Sequence, residues 1–548
     1  MALLYKKDHL GAAHTYAVLV GVLVAVGILP WKRLIRGSFN NVFLRSLNSI
    51  PLVTIPFWPY LSLSDLVFIA IYLALTVLFG ITDISVLNDT DVPRFGFMAL
   101  SNLAVLTLLP QRNSLLSAFF GISRERCLLF HSILGTVTIL LSLLHGSLYL
   151  YEWSYYDFLI ESINSRAMIT YGLASGGVMS LVLLTSAVTP IRRLSFELFY
   201  WIHILSYPAM LALLFLHTSH SVEFFCPGAI LYGVDRLLRI VRALRPAKII
   251  ESVAVDDLLI RLKFEQPTFL GSFGKARAGQ YFFVQFPAIS LFEWHPFSMI
   301  SSEDDFIVDD RKADNGSKTS FELVDTNKES LSNDSRSSYQ HGLISFIRHR
   351  QSKSQQYELA IRREGHFTRK LHEHIGNGKS LSVLVDGPYG RSFDGVMDRD
   401  TILLVAGGVG ITPLISILQT IMSRNQNSAH DTPRIHVRLI WVVRDSDNFN
   451  WFEKELSEAT ANGIKIHLFA TCACEDSTEK TSHLPVSVEF SRPSIIDIMR
   501  DMVGDRKSGN VSVAVCGTQS LVTTVKHSAR LASTSCGMFI VFSETFSL

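Results

Sequence analysis

Seven apolar runs dominate the first 240 residues, at about 13–30, 64–81, 96–110, 127–150, 170–189, 199–217 and 222–238, joined by short polar or basic links. A helix crossing hydrocarbon needs ~20 apolar residues, and backbone polar groups there must be satisfied within the segment. The runs therefore predict a helical membrane bundle, with soft edges where a run is short. The first run shows no small-residue cleavage site and reads as a retained span rather than a removed leader. Beyond residue 245 the composition is that of a soluble α/β chain. This uneven split accounts for an overall 18% of charged residues against a usual ~25%.

Other bulk properties exclude more than they assign. A net charge of +2 argues against nucleic-acid binding and against a polybasic membrane clamp. Six cysteines in 548 residues are too few for a disulfide framework, and Cys472 and Cys474 form a lone C-x-C that reads as ordinary thiols.

Basic residues orient the bundle, since they collect on the cytosolic side. Lys32, Arg33 and Arg36 follow the first run, and Arg112, Arg124 and Arg126 separate the third from the fourth. Arg192 and Arg193 separate the fifth from the sixth, and Arg236, Arg239, Arg242 and Arg245 close the seventh. All four clusters share one side if the N-terminus is outside. The opposite side carries the acidic stretch Thr82–Asp91, with Asn88-Asp89-Thr90 as a glycan acceptor pattern. The soluble half is then cytosolic, and the chain is expected in the plasma membrane or an endomembrane.

Histidine is costly in a bilayer and marks function there. The fourth run holds His131 and His145, and the sixth holds His203 and His217, each pair 14 residues apart. Fourteen residues make four turns less ~40°, so each pair shares a face, with a rise of ~21 Å. Two such helices face to face offer two bis-imidazole sites, His131 with His203 on the cytosolic side and His145 with His217 on the outer side. Two haems, one near each leaflet, fit that spacing. The alternative, packing histidines bonded to carbonyls, serves for one residue but does not explain two equal spacings. Bis-histidine ligation leaves no open iron position, so such haems pass electrons onward. His220 lies off the shared face, and His14 sits at a span end without a partner; both read as interfacial.

From about 246 short strands take over: Lys248–Val255, Leu258–Phe264 and Gln280–Phe286. A β-barrel-like domain is expected. It contains Trp294-His295-Pro296-Phe297-Ser298-Met299 and, later, Leu359-Ala360-Ile361-Arg362 and Gly365-His366-Phe367-Thr368. Between them a Ser/Asp/Asn/Lys-rich insertion at 303–356 is expected to be disordered, with Leu343–Arg348 as a short element.

The last domain begins near 398. A buried-strand run, Thr401–Val405, passes into Ala406-Gly407-Gly408-Val409-Gly410-Ile411-Thr412-Pro413. Glycines admit a pyrophosphate close to the backbone, Thr412 can cap the following helix, and Pro413 suits its first turn. Asp386-Gly387-Pro388-Tyr389-Gly390 lies upstream, Ile440–Arg444 forms a second strand, and Val513–Val515 runs into Cys516-Gly517. Alternating strands and helices predict a parallel sheet binding at its carboxyl edge. Cys516 reads either as a reactive site residue or as a small buried one. Arg444 reads either as a contact for the 2′-phosphate of NADPH or as a solvated strand end.

Taken in this order, the paired histidines, His-Pro-Phe-Ser, Gly-Gly-Val-Gly-Ile-Thr-Pro and Cys-Gly resemble the ferric reductase and NADPH oxidase superfamily, over about residues 95 to 548. Among its members the chain looks most like compact fungal metalloreductases. The resemblance implies a membrane all-α haem-binding bundle plus a cytosolic ferredoxin-reductase-like module. Its parts would be N-terminal spans (1–95), the haem domain (96–245), a β-barrel FAD domain (246–397) and an α/β NADP-binding domain (398–548). It also implies roles. His295, Pro296, Phe297 and Ser298 resemble the flavin motif, and Arg362 and Thr368 the residues that hold FAD phosphates. Gly387, Pro388 and Gly407, Gly408, Val409, Gly410, Thr412 and Pro413 resemble the NADPH pyrophosphate site. Cys516 and Gly517 resemble the pair beside the nicotinamide. Two departures stand out: Leu548 ends the chain where an aromatic is usual, and Thr518 stands where proline is usual.

The implied activity is hydride transfer from NADPH to FAD, then one-electron passage through two haems b to an acceptor across the membrane. The link between the last two runs is only about Thr218–Val222. So short a cap favours a ferric or cupric chelate as acceptor over oxygen. A degenerate, non-enzymatic homologue is the reading from a different class. No EF-hand pattern appears, so direct calcium control is not expected.

Overall fold

The computed structural model describes residues 14–22, 51–55, 58–81, 92–113, 124–187, 196–245, 247–267, 276–302, 354–390, 393, 395–427, 434–472, 484–504, 510–533 and 538–545. Lys32, Arg33, Arg36, Asn88, Arg192, Arg193, Cys474, the segment 343–348 and Leu548 lie outside these residues. The chain divides into two compact units, Met1–Ile240 and Val241–Leu548.

Among its described residues the first unit is helical apart from a strand pair, β1 (Pro51–Ile55) with β2 (Trp58–Ser62). Its helices are α1 (residues 14–22), α2 (Leu63–Ile81), α3 (Val92–Leu106), α4 (Arg124–Tyr155), α5 (Leu159–Ser165), α6 (Ala167–Ala187), α7 (Phe196–His217) and α8 (Ser221–Ala243). Among the described residues, three helical stretches are long and apolar enough to cross a membrane: Arg126–Tyr155, Ala167–Ser186 and Leu198–His217. Leu66–Gly80 and Val92–Leu106 are apolar but shorter. The seventh expected run is helical as α8, but Glu223, Asp235, Arg236, Arg239 and Arg242 make it amphipathic.

The third run shifts relative to its apolar stretch. Pro93 fits the first turn of α3, so the helix starts at Val92, and the chain leaves helix after Leu106, ahead of Pro110. The short helix α5 has no counterpart among the apolar runs, because Leu159–Ser165 is too polar to stand out among spans. Helix α4 packs against α3, and α7 against α6. Asp235 of α8 is buried and accepts from the backbone N–H and the side-chain amide of Asn113, at 2.7 and 2.8 Å.

The second unit begins with an antiparallel sheet in the order β3-β4-β7-β6-β5-β8. Its strands are β3 (Lys248–Ala254), β4 (Leu259–Pro267), β5 (Tyr281–Gln285), β6 (His295–Ser302), β7 (Ser354–Arg362) and β8 (Leu384–Tyr389). Alternating burial along β4 and β7 puts Ile260, Leu262, Phe264, Tyr357, Leu359 and Ile361 into one core. Helix α9 (His366–Gly376) covers that core with Phe367 and Leu371. The polar insertion ends earlier than its composition suggests. Ser354, Gln355 and Gln356 are the first residues of β7, paired with Pro267, Gln266 and Glu265. Backbone pairing overrides their polarity.

The nucleotide-binding part follows as a parallel sheet, β12-β11-β10-β9-β13-β14, with β9 (Thr401–Gly407), β10 (His436–Val443), β11 (Lys465–Ala470), β12 (Val488–Glu489), β13 (Val511–Gly517) and β14 (Phe539–Thr545). Fully buried strands such as β9 and β13 need a layer on each face. Helices α10 (Ile411–Asn427) and α11 (Glu453–Ala461) pack with one core, α12 (Ile495–Gly504) and α13 (Gln519–Ala532) with the other. Strand order runs outward from β9 in one direction and from β13 in the other. The switch point therefore lies between β9 and β13, where such sheets open a crevice at their carboxyl ends.

Candidate functional site

The two histidine pairs come together in the first unit. The rings of His131 (α4) and His203 (α7) have centroids 5.9 Å apart at 70°, and those of His145 (α4) and His217 (α7) are 6.4 Å apart at 77°. At these spacings one imidazole from each helix would be near enough to share a metal ion through metal–nitrogen bonds of about 2.0 Å.

Their second nitrogens are engaged. His131 Nδ1 donates to the carbonyl of Leu106 (3.2 Å), His145 Nδ1 to that of Val92 (2.8 Å) and His217 Nδ1 to that of Met168 (2.8 Å). A carbonyl only accepts, so each of these nitrogens carries the proton and Nε2 is the free electron pair. Such second contacts orient a metal-ligating histidine and raise its basicity. The Leu106 carbonyl is available because the residue four positions on is Pro110, which has no N–H. His203 differs, its Nδ1 being buried with no hydrogen-bond partner among the described residues.

Two histidines placed outside the pairs do have a partner. His14 Nε2 and His220 Nδ1 each lie 3.6 Å from the Glu223 carboxylate, and His14 stacks on Phe224. The expectation that His14 stands alone is thus corrected, because α8 brings a carboxylate that sequence distance concealed.

In the second unit the flavin-type motif occupies β6. His295, Pro296, Phe297 and Ser298 pair with Val284, Phe283, Phe282 and Tyr281 of β5. The His295 ring stacks on Phe367 at 4.1 Å, and Ser298 is buried. Arg362 ends β7, and its Nε is buried without a partner among the described residues. Its Nη1 lies 3.9 Å from the point that a Cβ on Gly408 would occupy, which brings the flavin side to the glycine turn. Thr368 lies in the first turn of α9. Its hydroxyl accepts from Glu364 N–H (3.0 Å) and Gly365 N–H (3.1 Å) and donates to the Gly365 carbonyl (3.2 Å). It builds the start of α9, whose free N–H groups then face any anion.

Gly387 and Pro388 lie in β8, where Tyr389 Oη donates to Asp386 (2.8 Å) and the Arg242 guanidinium donates to Tyr389 Oη (3.2 Å). A Cβ on Gly387 would come 2.7 Å from the Phe282 ring. At the switch point Gly408 has φ +54°, a conformation that glycine adopts freely, and its carbonyl accepts from Trp441 Nε1 (2.9 Å). Thr412 is already the second residue of α10, so it does not cap the helix as its position suggests: its Oγ1 donates to the Val409 carbonyl (2.8 Å), with Pro413 in the same first turn. A Cβ on Gly410 would stand 2.4 Å from the Cys516 carbonyl oxygen. The glycines at 407, 410 and 517 therefore let the ends of β9 and β13 nearly touch.

Cys516 is fully buried, with its side chain in the core beside α10, so the crevice receives the backbone of Cys516 and Gly517. Arg444 is exposed one residue beyond β10, at the carboxyl edge of the sheet. Thr518 precedes α13 at its cap position, and Glu544 of β14 pairs with Cys516 in the register.

Sequence reasoning missed a clamp inside this unit. Arg261 (β4) donates to Glu358 (β7) and Glu455 (α11), both at 2.6 Å, and Trp451 Nε1 donates to Asp256 at 2.6 Å. Burial alone would lower the Arg261 pKa, but the bonds to Glu455 and Glu358 outweigh it and raise it. A charged residue on an alternating strand gives no signal of such a partner.

Three family models match the chain in order: a ferric reductase like transmembrane component over residues 95–214, an FAD-binding domain over 246–336 and a ferric reductase NAD binding domain over 399–530. The chain is 26% identical over 368 residues to ferric reduction oxidase 8, mitochondrial, of Arabidopsis thaliana, covering 65% of this chain and 43% of that protein. It is 25% identical over 378 residues to a superoxide-generating NADPH oxidase heavy chain of Dictyostelium discoideum, covering 63% and 49%. It is 25% identical over 463 residues to NADPH oxidase 5 of Homo sapiens, covering 72% and 57%. The chain thus spans about half the length of the relatives it matches. A helical membrane part followed by flavin and nucleotide domains is what those three models describe together, and the chain belongs to the ferric reductase and NADPH oxidase superfamily.

Proposed function

We propose that this chain is a transmembrane metalloreductase, moving electrons from cytosolic NADPH through FAD and two haems b to a ferric or cupric chelate on the far side. The observation that carries the reading is the pair of facing histidine couples, three of whose rings hold Nε2 free through a backbone carbonyl. That chemistry fits two bis-imidazole haems, one held by His131 and His203 and one by His145 and His217.

The second unit fits its cofactors in the same way. Arg362, with a buried Nε lacking a partner among the described residues, and the N-terminus of α9 suit the phosphates of FAD beside His295–Ser298. The turn Gly407–Gly410 and the N-terminus of α10, at Thr412 and Pro413, suit the pyrophosphate of NADPH, with Gly387 and Pro388 alongside. Cys516 and Gly517, at the end of β13 beside that turn, suit the nicotinamide through their backbone, and Arg444 suits the 2′-phosphate. When bound, NADPH supplies a hydride to FAD, and the flavin and haems together convert that two-electron step into single-electron transfers across the membrane. The residues bind and orient; the glycines allow approach, and the buried strands exclude water.

The short link Thr218–His220 between α7 and α8 favours a bulky metal chelate as acceptor. Oxygen is the second reading, favoured by the likeness to superoxide-generating oxidases. With its N-terminus outside, the chain would put its basic links and soluble half on the cytosolic side, in the plasma membrane or an endomembrane. Purified protein should show a haem Soret band that NADPH reduces anaerobically. Absence of either, as expected of a degenerate homologue, sinks the proposal. Ferric-chelate reduction insensitive to superoxide dismutase selects the metal; full inhibition selects oxygen.

A further inference from the structure

Beside the outer histidine pair, two glycines occupy equivalent places. The carbonyl that holds His145 belongs to Val92, and Gly96 follows it by four residues on α3; the carbonyl that holds His217 belongs to Met168, and Gly172 follows it by four on α6. Four residues are about one helical turn, so carbonyl and glycine share a face. A Cβ on Gly96 would lie 3.0, 3.1 and 3.2 Å from Cε1, Nδ1 and Nε2 of His145. A Cβ on Gly172 would lie 2.6, 2.7 and 3.3 Å from the same atoms of His217. Each ring thus lies across a glycine while its Nδ1 reaches the carbonyl one turn back.

Glycine in a membrane helix most often serves helix packing. Gly228 shows that case, its missing Cβ leaving room for the Thr107 side chain, whereas several other described glycines of this unit have no neighbour so close. Gly135 meets only the Leu106 side chain, and Gly146, Gly176 and Gly177 meet nothing within 4 Å. Among the described glycines, Gly96 and Gly172 are the two whose nearest neighbours are the imidazoles themselves. A glycine within a helix costs about 1 kcal/mol against alanine, so two at matched positions call for a local reason.

We infer that Gly96 and Gly172 are positioning residues for the outer haem: the missing Cβ lets His145 and His217 lie flat on α3 and α6, and the carbonyls of Val92 and Met168 then fix their tautomers. The inference rests on the proposed ligation of haem by these histidines. It also separates the two sites, since among the described residues the inner pair has one such carbonyl, that of Leu106 at His131, and no glycine against its rings.

The test uses the full chain in detergent, with the alanine variants G96A and G172A and with G146A and G176A as controls in α4 and α6. Haem-to-FAD ratio, low-temperature EPR of the ferric form and midpoint potentials are read. G172A should lose one of two haems, or shift one EPR signal and one potential while leaving the other unchanged. G96A, where the ring needs to yield less, should shift one signal and keep both haems. The inference is overturned if G96A matches wild type in EPR and potentials, or if G176A is affected as G172A is. Wild-type protein without a Soret band would instead remove the haem reading beneath it.

Discussion

Removing the Arg261 guanidinium tests whether the flavin sheet and the nucleotide domain are held as one body. Its side chain is 24% exposed and that of Glu455 only 4%. In Arg261→Ala, Glu455 keeps a carboxylate in low dielectric with no cation, and its Oε2 already lacks a partner among the described residues. Breaking a buried pair in this way costs about 3–5 kcal/mol. The Glu358 half weighs less, because that carboxylate is 21% exposed and keeps the Ser301 hydroxyl at 3.2 Å, so it falls in the range of about 0.2–1 kcal/mol found for exposed pairs. Partial exposure of Arg261 argues for the lower end, about 3 kcal/mol in total.

For a unit of this size, that loss lowers the melting temperature by about 6–10 °C. Release of flavin fluorescence on heating the solubilised full chain would read it. Arg261→Ala combined with Glu455→Gln should recover much of the loss, since no charge is then stranded. Arg261→Lys should fall between, because an ammonium keeps the charge but lacks the planar fork whose separate nitrogens meet Glu358 and Glu455. If Arg261→Ala melts within about 2 °C of wild type, or the double variant is no better than the single, the clamp is not what joins the two parts.

Gly410→Ala pushes a Cβ to 2.4 Å from the Cys516 carbonyl, an overpacking of about 1–3 kcal/mol, and should raise the KM for NADPH by about 5–150-fold with flavin content unchanged. Arg444→Ala should weaken NADPH by about 10–100-fold, the loss of a charge-assisted contact, and leave NADH turnover unaltered; equal effects on both would assign Arg444 to the solvated strand end. His467 tests acid stability. Burial, with Arg438 and Lys465 nearby, lowers its pKa below 6.5 against the opposing pull of Glu489 and Asp501. The unfolded chain then takes up the proton first, so stability falls as pH drops below about 6.5. His467→Gln should flatten the melting temperature between pH 7.5 and 5.5, and an unchanged slope would refute the assignment. His145→Ala should abolish transfer to the acceptor while NADPH still bleaches the flavin, and normal turnover would refute the ligand role.

Legibility followed the kind of interaction. The histidine pairing was readable because helical geometry is periodic: a spacing of 14 residues on two apolar runs fixes a shared face before any packing is known. The switch-point crevice was readable because glycine is needed wherever backbone meets backbone, as at Gly408 and Gly410. Backbone partners were not readable. Nothing in the side chains of Val92, Met168 or Leu106 announces that their carbonyls hold imidazoles, and only Pro110 hints at a spare acceptor. Long-range charge pairing was equally hidden, since Arg261 and Glu455 are 194 residues apart. Composition misled at Ser354–Gln356, where pairing with β4 outweighs polarity, and at α8, where an apolar half conceals an amphipathic helix.

These differences bear on how the inner and outer histidines are tuned. Both outer imidazoles donate to a carbonyl, whereas of the inner two only His131 does, and His203 Nδ1 stands without a partner among the described residues. A donated Nδ1 proton makes the ring a stronger electron donor and favours the oxidised metal. On that ground alone, bound haem would be harder to reduce at the outer pair than at the inner.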